Sequence, residues 1–147
     1  MSPLAHQPAL KMNGIGNEIV VLDLRGQGHT VTAAEARAVG HGTGLHYDQM
    51  MVLHNPRTPG TEAFVLIYNI DGTEAGACGN GTRCVAWYLS GQTGRKRFTV
   101  ETRAGLLECV QTGAWSWSVD MGPPALGWAE IPLGLAVADT THVPLDT

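Results

Sequence analysis

The chain has 147 residues, of which 44% are hydrophobic and 15% charged, with a formal net charge of −4. This length suits one domain with its own core, and without a basic stripe to neutralise phosphates we expect no nucleic-acid partner. No apolar run reaches the length of a membrane span, and the start lacks a signal-peptide pattern. Three cysteines form no even disulfide framework and fit a reducing compartment. We therefore expect a cytoplasmic protein with no membrane partner.

In the first third of the chain, two apolar runs predict short buried strands on either side of a helix. The strands are expected at residues 19–22 and 50–53. Thr32 and Glu35 have the spacing of a capping box, in which each side chain binds the backbone N–H of the other residue. The helix should begin there and run to about Gly40.

The middle of the chain predicts a central strand followed by an apolar helix. Residues 63–68 are apolar on both alternating sets, as in a strand covered on both faces. Asp71 and Gly72 then supply a turn. Residues 82–89 are apolar nearly all round, which predicts a helix enclosed by protein. Gly91 is placed to end that helix.

Alternating polar and apolar residues predict further strands after this helix. They are expected at residues 98–102 and 115–121, and Gly113 would join the second of these to a strand at residues 106–110 as a hairpin. We therefore predict an α+β fold in which a mostly antiparallel sheet wraps around a central apolar helix.

Composition divides the chain into three segments. Residues 1–9 are polar and contain proline, which predicts a loose N-terminal tail, and residues 10–122 hold all the predicted elements. A cluster of prolines (Pro123, Pro124 and Pro132) indicates that residues 123–147 form a linker or the start of a missing second domain.

The most informative stretch of the sequence surrounds Cys78. A strand ends at Asn69, a turn follows, and the cysteine lies between small residues where a helix begins, with Gly79 and Gly81 beside it. Open backbone N–H groups and the positive end of the helix dipole favour an anion there, either a substrate carboxylate or the thiolate itself. Since the thiolate is the reactive form of cysteine, the pattern predicts a chemically active thiol.

Three motifs resemble one enzyme family. Residues 68–84, Y-N-I-D-G-T-E-A-G-A-C-G-N-G-T-R-C, are similar to the N-terminal cysteine block of the diaminopimelate epimerases. K-M-N-G-I-G-N-E at residues 11–18 and Y-D-Q at residues 47–49 resemble two further stretches of that family, in the same order. The resemblance covers about residues 10–122, the first of the family's two domains. Asn13 stands where the family usually has histidine, and no second cysteine block follows Cys109.

The resemblance implies a cofactor-independent epimerase that interconverts LL- and meso-diaminopimelate, a small amino-acid substrate. The family uses two cysteines, one as thiolate base and the other as thiol acid, and Cys78 matches one of them. The family's substrate-binding positions match Asn17, Gln49, Asn69, Gly79 and Asn80. Because the second cysteine has no match, we expect the chain alone to be inactive. It should self-associate, as a homodimer or through the face that the missing half would cover.

Without the resemblance, the same residues are also compatible with purely structural roles. An asparagine in a loop is normally a turn former, and a free cysteine is normally a small buried hydrophobe. Burial is the role expected of Cys84 and Cys109. The six histidines show no metal-ligand spacing, and neither of the two lysines has a setting that suggests a pyridoxal cofactor, so we expect neither metal nor cofactor.

Three other functions are compatible with the sequence. The chain fits a non-catalytic binding or assembly module, because its few charges leave much apolar surface to meet a partner. A related cofactor-independent racemase of proline-type amino acids would share the chemistry, although its motifs fit less well. A dithiol redox protein would pair Cys78 with Cys84, whose five intervening residues are not the usual two.

Overall fold

The computed structural model describes residues 2–42 and 44–144, so the last three residues of the predicted segment 123–147 lie outside the described part. The described residues form eight strands and two helices, which are β1 (Ala9–Gly14), β2 (Asn17–Asp23), α1 (Ala33–Gly42), β3 (Gln49–His54), β4 (Thr61–Asn69), β5 (Glu74–Ala75), α2 (Gly79–Thr93), β6 (Arg97–Thr102), β7 (Gly105–Gly113) and β8 (Ser116–Val119). These bounds contain the strands predicted at residues 19–22, 50–53, 63–68, 98–102 and 106–110, which are thereby confirmed.

The strands form one mixed sheet that curls into a half-barrel, in the order β1-β2-β3-β4-β6-β7-β8, with β5 paired beside β4. Five of the strand pairs are antiparallel, as predicted. The pairs β2–β3 and β4–β6 are parallel. Parallel neighbours need a long crossover connection, and the two helices supply it: α1 lies between β2 and β3 in the chain, and α2 between β4 and β6.

The core has two parts, which lie on opposite faces of β4. Ala63, Val65 and Ile67 belong to a cluster that includes the buried face of α2. Phe64, Leu66 and Tyr68 belong to a second cluster, which includes Ala36 of α1. Successive residues of a strand point to opposite faces, so covering both faces requires the continuous apolar run that β4 carries. The predicted central strand is therefore confirmed.

The predicted capping box starts α1. The backbone N–H of Thr32 donates to Glu35 Oε2 at 2.9 Å, and the N–H of Glu35 donates to Thr32 Oγ1 at 3.2 Å. These bonds satisfy two of the N–H groups that have no partner inside the helix. The helix runs to Gly42, two residues beyond the predicted end.

Helix α2 is longer than predicted, and the prediction that Gly91 ends it is wrong. The helix starts at Gly79 and continues to Thr93, and Gly94 closes it in the left-handed conformation, with its N–H bonded to the carbonyl of Ser90. Gly91 is an exposed residue inside the last turns. One face of α2 is buried, but Trp87 and Tyr88 are only half-buried. Enclosure of this helix on all sides therefore stays a prediction.

The ends of the sheet differ from the predicted pattern. The strand expected at residues 115–121 is shorter, because Trp115 lies in the turn before β8 with 78% of its surface exposed. At the other end, β1 forms an edge strand that was not predicted from the sequence, because only two apolar residues, Leu10 and Met12, alternate along it and pack on the core. Ahead of it, Leu4 packs against the α1 side of the core. Beyond β8 the structure has turns but neither helix nor strand through residue 144.

Candidate active site

Cys78 is the N-cap residue of α2. Its backbone is extended, with φ −152° and ψ 99°, and its Sγ accepts a hydrogen bond from the backbone N–H of Gly81 at 3.2 Å. A sulfur in this position satisfies one of the helix's unpaired N–H groups and lies at the positive end of the helix dipole. No acidic residue occupies the first turn. The predicted location of this cysteine at a helix start is thus confirmed.

Three side-chain amides from adjacent strands lie beside this helix end. Asn17 is the first residue of β2, Gln49 the first of β3 and Asn69 the last of β4. Gln49 is directly opposite Asn69 in the antiparallel register and two residues from Asn17 in the parallel register, where it faces Ile19. The sheet topology therefore brings these three positions, distant in sequence, to one edge.

Gln49 connects the three amides to the thiol. Its Oε1 accepts from the Cys78 thiol at 2.8 Å and from Asn17 Nδ2 at 3.3 Å. Its Nε2 donates to Asn69 Oδ1 at 3.3 Å. Of the six site residues that the sequence analysis named, these contacts bring together Asn17, Gln49, Asn69 and Cys78.

The first turn of α2 also offers unpaired donors. In the described part of the chain, the backbone N–H groups of Gly79 and Asn80 have no hydrogen-bond acceptor. The Asn80 side chain is partly engaged, because its Oδ1 accepts a hydrogen bond from Arg83 Nη2. Two free N–H groups next to a guanidinium form a site suited to an anion.

Gly81 has a different role from the openness that the sequence suggested. A Cβ atom at this position would lie 2.4 Å from the Met51 Sδ atom, so the first turn of α2 packs directly on β3. A side chain at this position would have to displace Met51, which is fully buried. At Gly79, by contrast, the nearest atom to an added Cβ is the Met121 sulfur at 3.8 Å, and this side of the turn is open.

The other two cysteines have the buried positions that were predicted. Cys84 is 5% exposed and Cys109 is fully buried. Burial raises the pKa of both thiols, that of Cys109 to about 12. Cys84 lies six residues after Cys78, about 9 Å further along the helix, which exceeds the Cα separation that a disulfide spans. This geometry weighs against the dithiol redox alternative.

Two polar neighbours of the site, Thr73 and Arg83, were not predicted from the sequence. Thr73 Oγ1 accepts from Asn69 Nδ2 at 3.1 Å and donates to Asp71 Oδ1 at 2.6 Å. Arg83 contacts Asn80 across one helical turn. The spacing i, i+3 on a helix was the available signal for Arg83, whereas the position of Thr73 depends on the turn that returns the chain from β4.

A separate cleft of about 340 Å³ lies between the β1–β2 turn, α2 and β8; it is lined mainly by Ile15, Arg83, Cys84, Trp87, Trp115 and Trp117. We call it the tryptophan cleft. The rings of Trp87 and Trp115 are stacked, with centroids 5.1 Å apart. Ile15 at its rim is 84% exposed. The cleft is lined mostly by apolar side chains, and the three amide residues Asn17, Gln49 and Asn69 do not line it.

Among the described residues, no group of three or more histidine, cysteine or acidic side chains is arranged to hold a metal ion. None of the helices within those residues is long and apolar enough to cross a membrane.

The sequence and fold both match known proteins. The family model described as Diaminopimelate epimerase matches residues 9–127. A diaminopimelate epimerase from Nitrobacter hamburgensis is 58% identical over 146 residues, which cover 99% of this chain and 50% of that protein. This chain spans about half the length of the curated relatives it matches.

Solved structures at low identity share the fold. A hydroxyproline epimerase from Agrobacterium vitis gives a TM-score of 0.53 at 16% identity, covering 76% of this chain and 40% of that one. Methylitaconate-delta-isomerase gives a TM-score of 0.54 at 14% identity, covering 82% of this chain and 66% of that one. At these identities the likeness bears on the architecture alone.

Proposed function

The chain belongs to the diaminopimelate epimerase family, and on that premise we propose that it forms one half of a cofactor-independent epimerase acting on diaminopimelate. The reaction would interconvert the LL and meso forms of this amino acid, with Cys78 as one of two acid–base thiols. The observation that carries the proposal is the position of Cys78, at the N-cap of α2 and within hydrogen-bond distance of Gln49 in the amide cluster.

The first turn of α2 is suited to the substrate carboxylate. The unpaired N–H groups of Gly79 and Asn80 would donate to it, and the helix dipole favours its negative charge. As the α-proton leaves, negative charge spreads onto this carboxylate, so fixed donors at that point lower the barrier. The amides of Asn17, Gln49 and Asn69 would contact the polar groups of the amino acid, since an uncharged amide both donates and accepts.

Inversion of the α-carbon needs two proton transfers on opposite faces. In one direction the Cys78 thiolate takes the α-proton and becomes a thiol, while a second thiol gives its proton to the other face and becomes a thiolate. Cys84 and Cys109 do not qualify as the second thiol, because both are buried. The second thiol would therefore come from the second half of the assembled enzyme, and the chain alone would not invert its substrate.

The same second half would complete the enclosure predicted for α2. Trp87 is half-buried, and the tryptophan cleft beside it exposes Ile15 and Trp115. Covering this apolar surface would stabilise the assembled protein by removing it from water. It would also exclude water near Cys78, which strengthens hydrogen bonds to developing charge. We expect the assembled protein to be cytoplasmic.

The proposal is tested by joining this chain to the second half of the Nitrobacter hamburgensis relative. Stereoinversion of diaminopimelate in heavy water would be followed by proton NMR, which reports loss of the α-proton signal. The hybrid should invert the substrate, and Cys78→Ala should abolish inversion, because an acid–base pair loses most of its effect when either member is missing.

The matched control is Cys84→Ala in the same hybrid. It removes a buried thiol, costs stability through a cavity, and should leave inversion intact at a temperature where the protein is folded. Inversion that survives Cys78→Ala would exclude Cys78 as an acid–base thiol. If the 147-residue chain alone inverted the substrate, and Cys78→Ala abolished that inversion, the proposal that this chain carries only half of the active site would be wrong.

A further inference from the structure

The hydrogen bonds at the site form one continuous chain of side chains. It runs from Cys78 through Gln49 to Asn69, then through Thr73 to the carboxylate of Asp71. Asn17 joins it as a branch, since it donates to the same Gln49 oxygen that accepts from the thiol. We call this chain the amide relay. It crosses from α2 to the turn after β4, and each of its members between the thiol and the carboxylate is uncharged.

The two hydrogen bonds at the Cys78 sulfur favour opposite protonation states. The N–H of Gly81 donates to Sγ at 3.2 Å, which stabilises a thiolate. Gln49 Oε1 accepts from the thiol at 2.8 Å, which requires the proton to be present. When the proton leaves, an oxygen that faces the sulfur would meet negative charge. The Gln49 amide would then have to present its NH₂ group to the sulfur.

We propose that the amide relay is a two-state switch in which the amides of Gln49, Asn17 and Asn69 turn over together when Cys78 loses or gains its proton. The oxygen and nitrogen of an amide occupy nearly the same space, so the turn needs no backbone movement. This inference rests on the proposed function, because an acid–base thiol must be stable in both states during one catalytic cycle.

In the turned state every group of the relay again has a partner. One N–H of Gln49 donates to the thiolate and the other to Asn17 Oδ1. Asn69 Nδ2 donates to Gln49 Oε1, and Asn69 Oδ1 faces Thr73. The Asn17 side chain has no competing hydrogen bond among the described residues, so it is free to turn.

Thr73 can end the switch because a hydroxyl both donates and accepts. In the observed state its Oγ1 accepts from Asn69 and its proton points to Asp71 Oδ1. In the turned state the same proton rotates to Asn69 Oδ1. Asp71 keeps a partner throughout, since the backbone N–H of Thr73 donates to it at 2.9 Å. The side-chain and backbone hydrogen bonds from Thr73 lower the pKa of Asp71 in the observed state, and the backbone bond remains in the turned state, so this carboxyl stays an acceptor.

The charged groups near the uncharged members of the relay have partners of their own, and Arg37 donates to the carbonyl of Asp71 at the charged end, at 3.1 Å. On β1 and β2, Lys11 and Glu18 form an ion pair at 3.2 Å. Ahead of β3, Asp48 accepts from the backbone N–H of Glu18 at 2.8 Å. On α2, Arg83 binds Asn80, and the Cys84 thiol is buried. Gln49, whose oxygen contacts the thiol directly, is therefore the first side chain of the relay to respond to the Cys78 proton.

Side-chain amide resonances of the 147-residue chain, labelled with ¹⁵N, test the switch directly. The NH₂ signals of Gln49 and Asn69 would be assigned by their loss in Gln49→Glu and Asn69→Leu. Both signals should shift over the same pH interval in which the alkylation rate of Cys78 rises, and both should be constant in Cys78→Ala. A shift confined to Gln49, or no shift at all, would overturn the relay.

A pair of variants at Asn69, which does not touch the sulfur, gives a second test. In Asn69→Asp the new carboxylate can only accept hydrogen bonds, so the Gln49 NH₂ group must keep pointing toward it. The Gln49 Oε1 atom then stays on the Cys78 thiol. Alkylation of Cys78 at pH 7 should slow about ten-fold, the size of one hydrogen bond to an ionised group. Asn69→Leu has similar size and releases Gln49, so the rate should equal or exceed that of the unchanged chain.

Repeating the Asn69→Asp measurement in 0.5 M salt separates the relay from simple charge repulsion, which salt screens. A slow rate that persists in salt supports the relay, and equal rates in the two Asn69 variants would overturn it. These measurements use no substrate. Failure of the relay would thus leave the proposed epimerisation to be decided by the Cys78→Ala hybrid.

Discussion

The three cysteines show how environment separates one residue type into different roles. Cys84 and Cys109 are held by apolar neighbours, and burial raises their pKa values. Cys78 is partly exposed, caps a helix and contacts a polar side chain. Thiolate character requires nearby donors and access to solvent. Of the three, Cys78 alone has both within the described structure.

Half of the six candidate site residues could be located from the local sequence. Cys78, Gly79 and Asn80 form one run at a helix start, and the sequence placed them there. Asn17, Gln49 and Asn69 carried no pairing signal of their own, and the resemblance selected them. Their contact depends on strand register. The packing of Gly81 on Met51 depends on where α2 crosses β3, which no local pattern encodes.

His54 makes the folded state sensitive to pH. Its Nε2 is buried without a hydrogen-bond partner among the described residues. Burial lowers the pKa of His54, and the charges of Arg57 and His29 lower it further. As the pH falls through the ordinary value near 6.5, the unfolded chain takes the proton first, so stability is lost from there down to the folded pKa.

We therefore expect the unfolding free energy to fall between pH 7.5 and pH 5.5, and His54→Gln to reduce that fall. The contribution of one proton is at most about 1.4 kcal/mol per pH unit. Urea unfolding of both proteins at the two pH values measures it. An equal fall in the variant would mean that other groups cause the pH dependence.

At the scale of one element, α2 is placed by contacts at both ends. Its first turn packs on β3 through Gly81. Toward its other end, Tyr88 donates to Asp23 Oδ2 at 3.0 Å, at the end of β2. Burial raises the pKa of that carboxyl, but hydrogen bonds from Arg25 outweigh it and the pKa is lowered. The ionised Asp23 thus holds the helix to the sheet.

Two glycines of α2 provide a matched test of this placement. Gly81→Ala would put a methyl group against Met51, which should destabilise the protein by about 1–3 kcal/mol and displace the N–H bonded to Cys78. Gly91→Ala has nothing within 4 Å of the added Cβ and should stabilise by about 0.5–1 kcal/mol through helix propensity. Thermal and urea unfolding measure both. Similar effects of the two substitutions would contradict close packing at Gly81.

The elements themselves were largely predictable, and the exceptions have physical causes. β4 has a strong local signal because its residues are apolar on both faces, and the start of α1 has one because it carries a capping box. The end of α2 was misplaced because Gly91 and Gly94 are equivalent by composition. Of the two glycines only Gly94 adopts the left-handed conformation, with φ 72° and its N–H bonded to the Ser90 carbonyl, and the packing that sets this choice is not encoded in the two glycines themselves.

At the scale of the whole molecule, the sheet order could not be derived from local patterns. Strand alternation predicted antiparallel pairing throughout most of the sheet, and the two parallel pairs follow from where the helices cross. The exposed apolar surface was predicted from the low charge content. Part of it, Ile15 and Trp115, lies in the tryptophan cleft, at a position that depends on how the turn before β8 meets α2, and most of the remainder lies beyond β8.

This surface predicts self-association of the isolated chain. Trp115 is 78% exposed in the cleft, and Trp115→Ser should weaken association at least about ten-fold, because burying a large aromatic side chain contributes roughly 2 kcal/mol or more. Leu135→Ser is the matched control, since Leu135 is 77% exposed but lies outside the cleft. Sedimentation velocity over a concentration series measures both. Equal effects would place the contact elsewhere.

The central claim is that Cys78 is the reactive thiol of this chain, and its alkylation tests that claim most directly. The folded 147-residue chain would be treated with iodoacetamide at pH 7, and the labelled cysteines identified by peptide mass spectrometry over time. Cys78 should be modified well before Cys84 and Cys109, whose burial both blocks access and disfavours the thiolate. Modification of Cys84 or Cys109 at a rate equal to that of Cys78, in chain shown to be folded, would contradict the account.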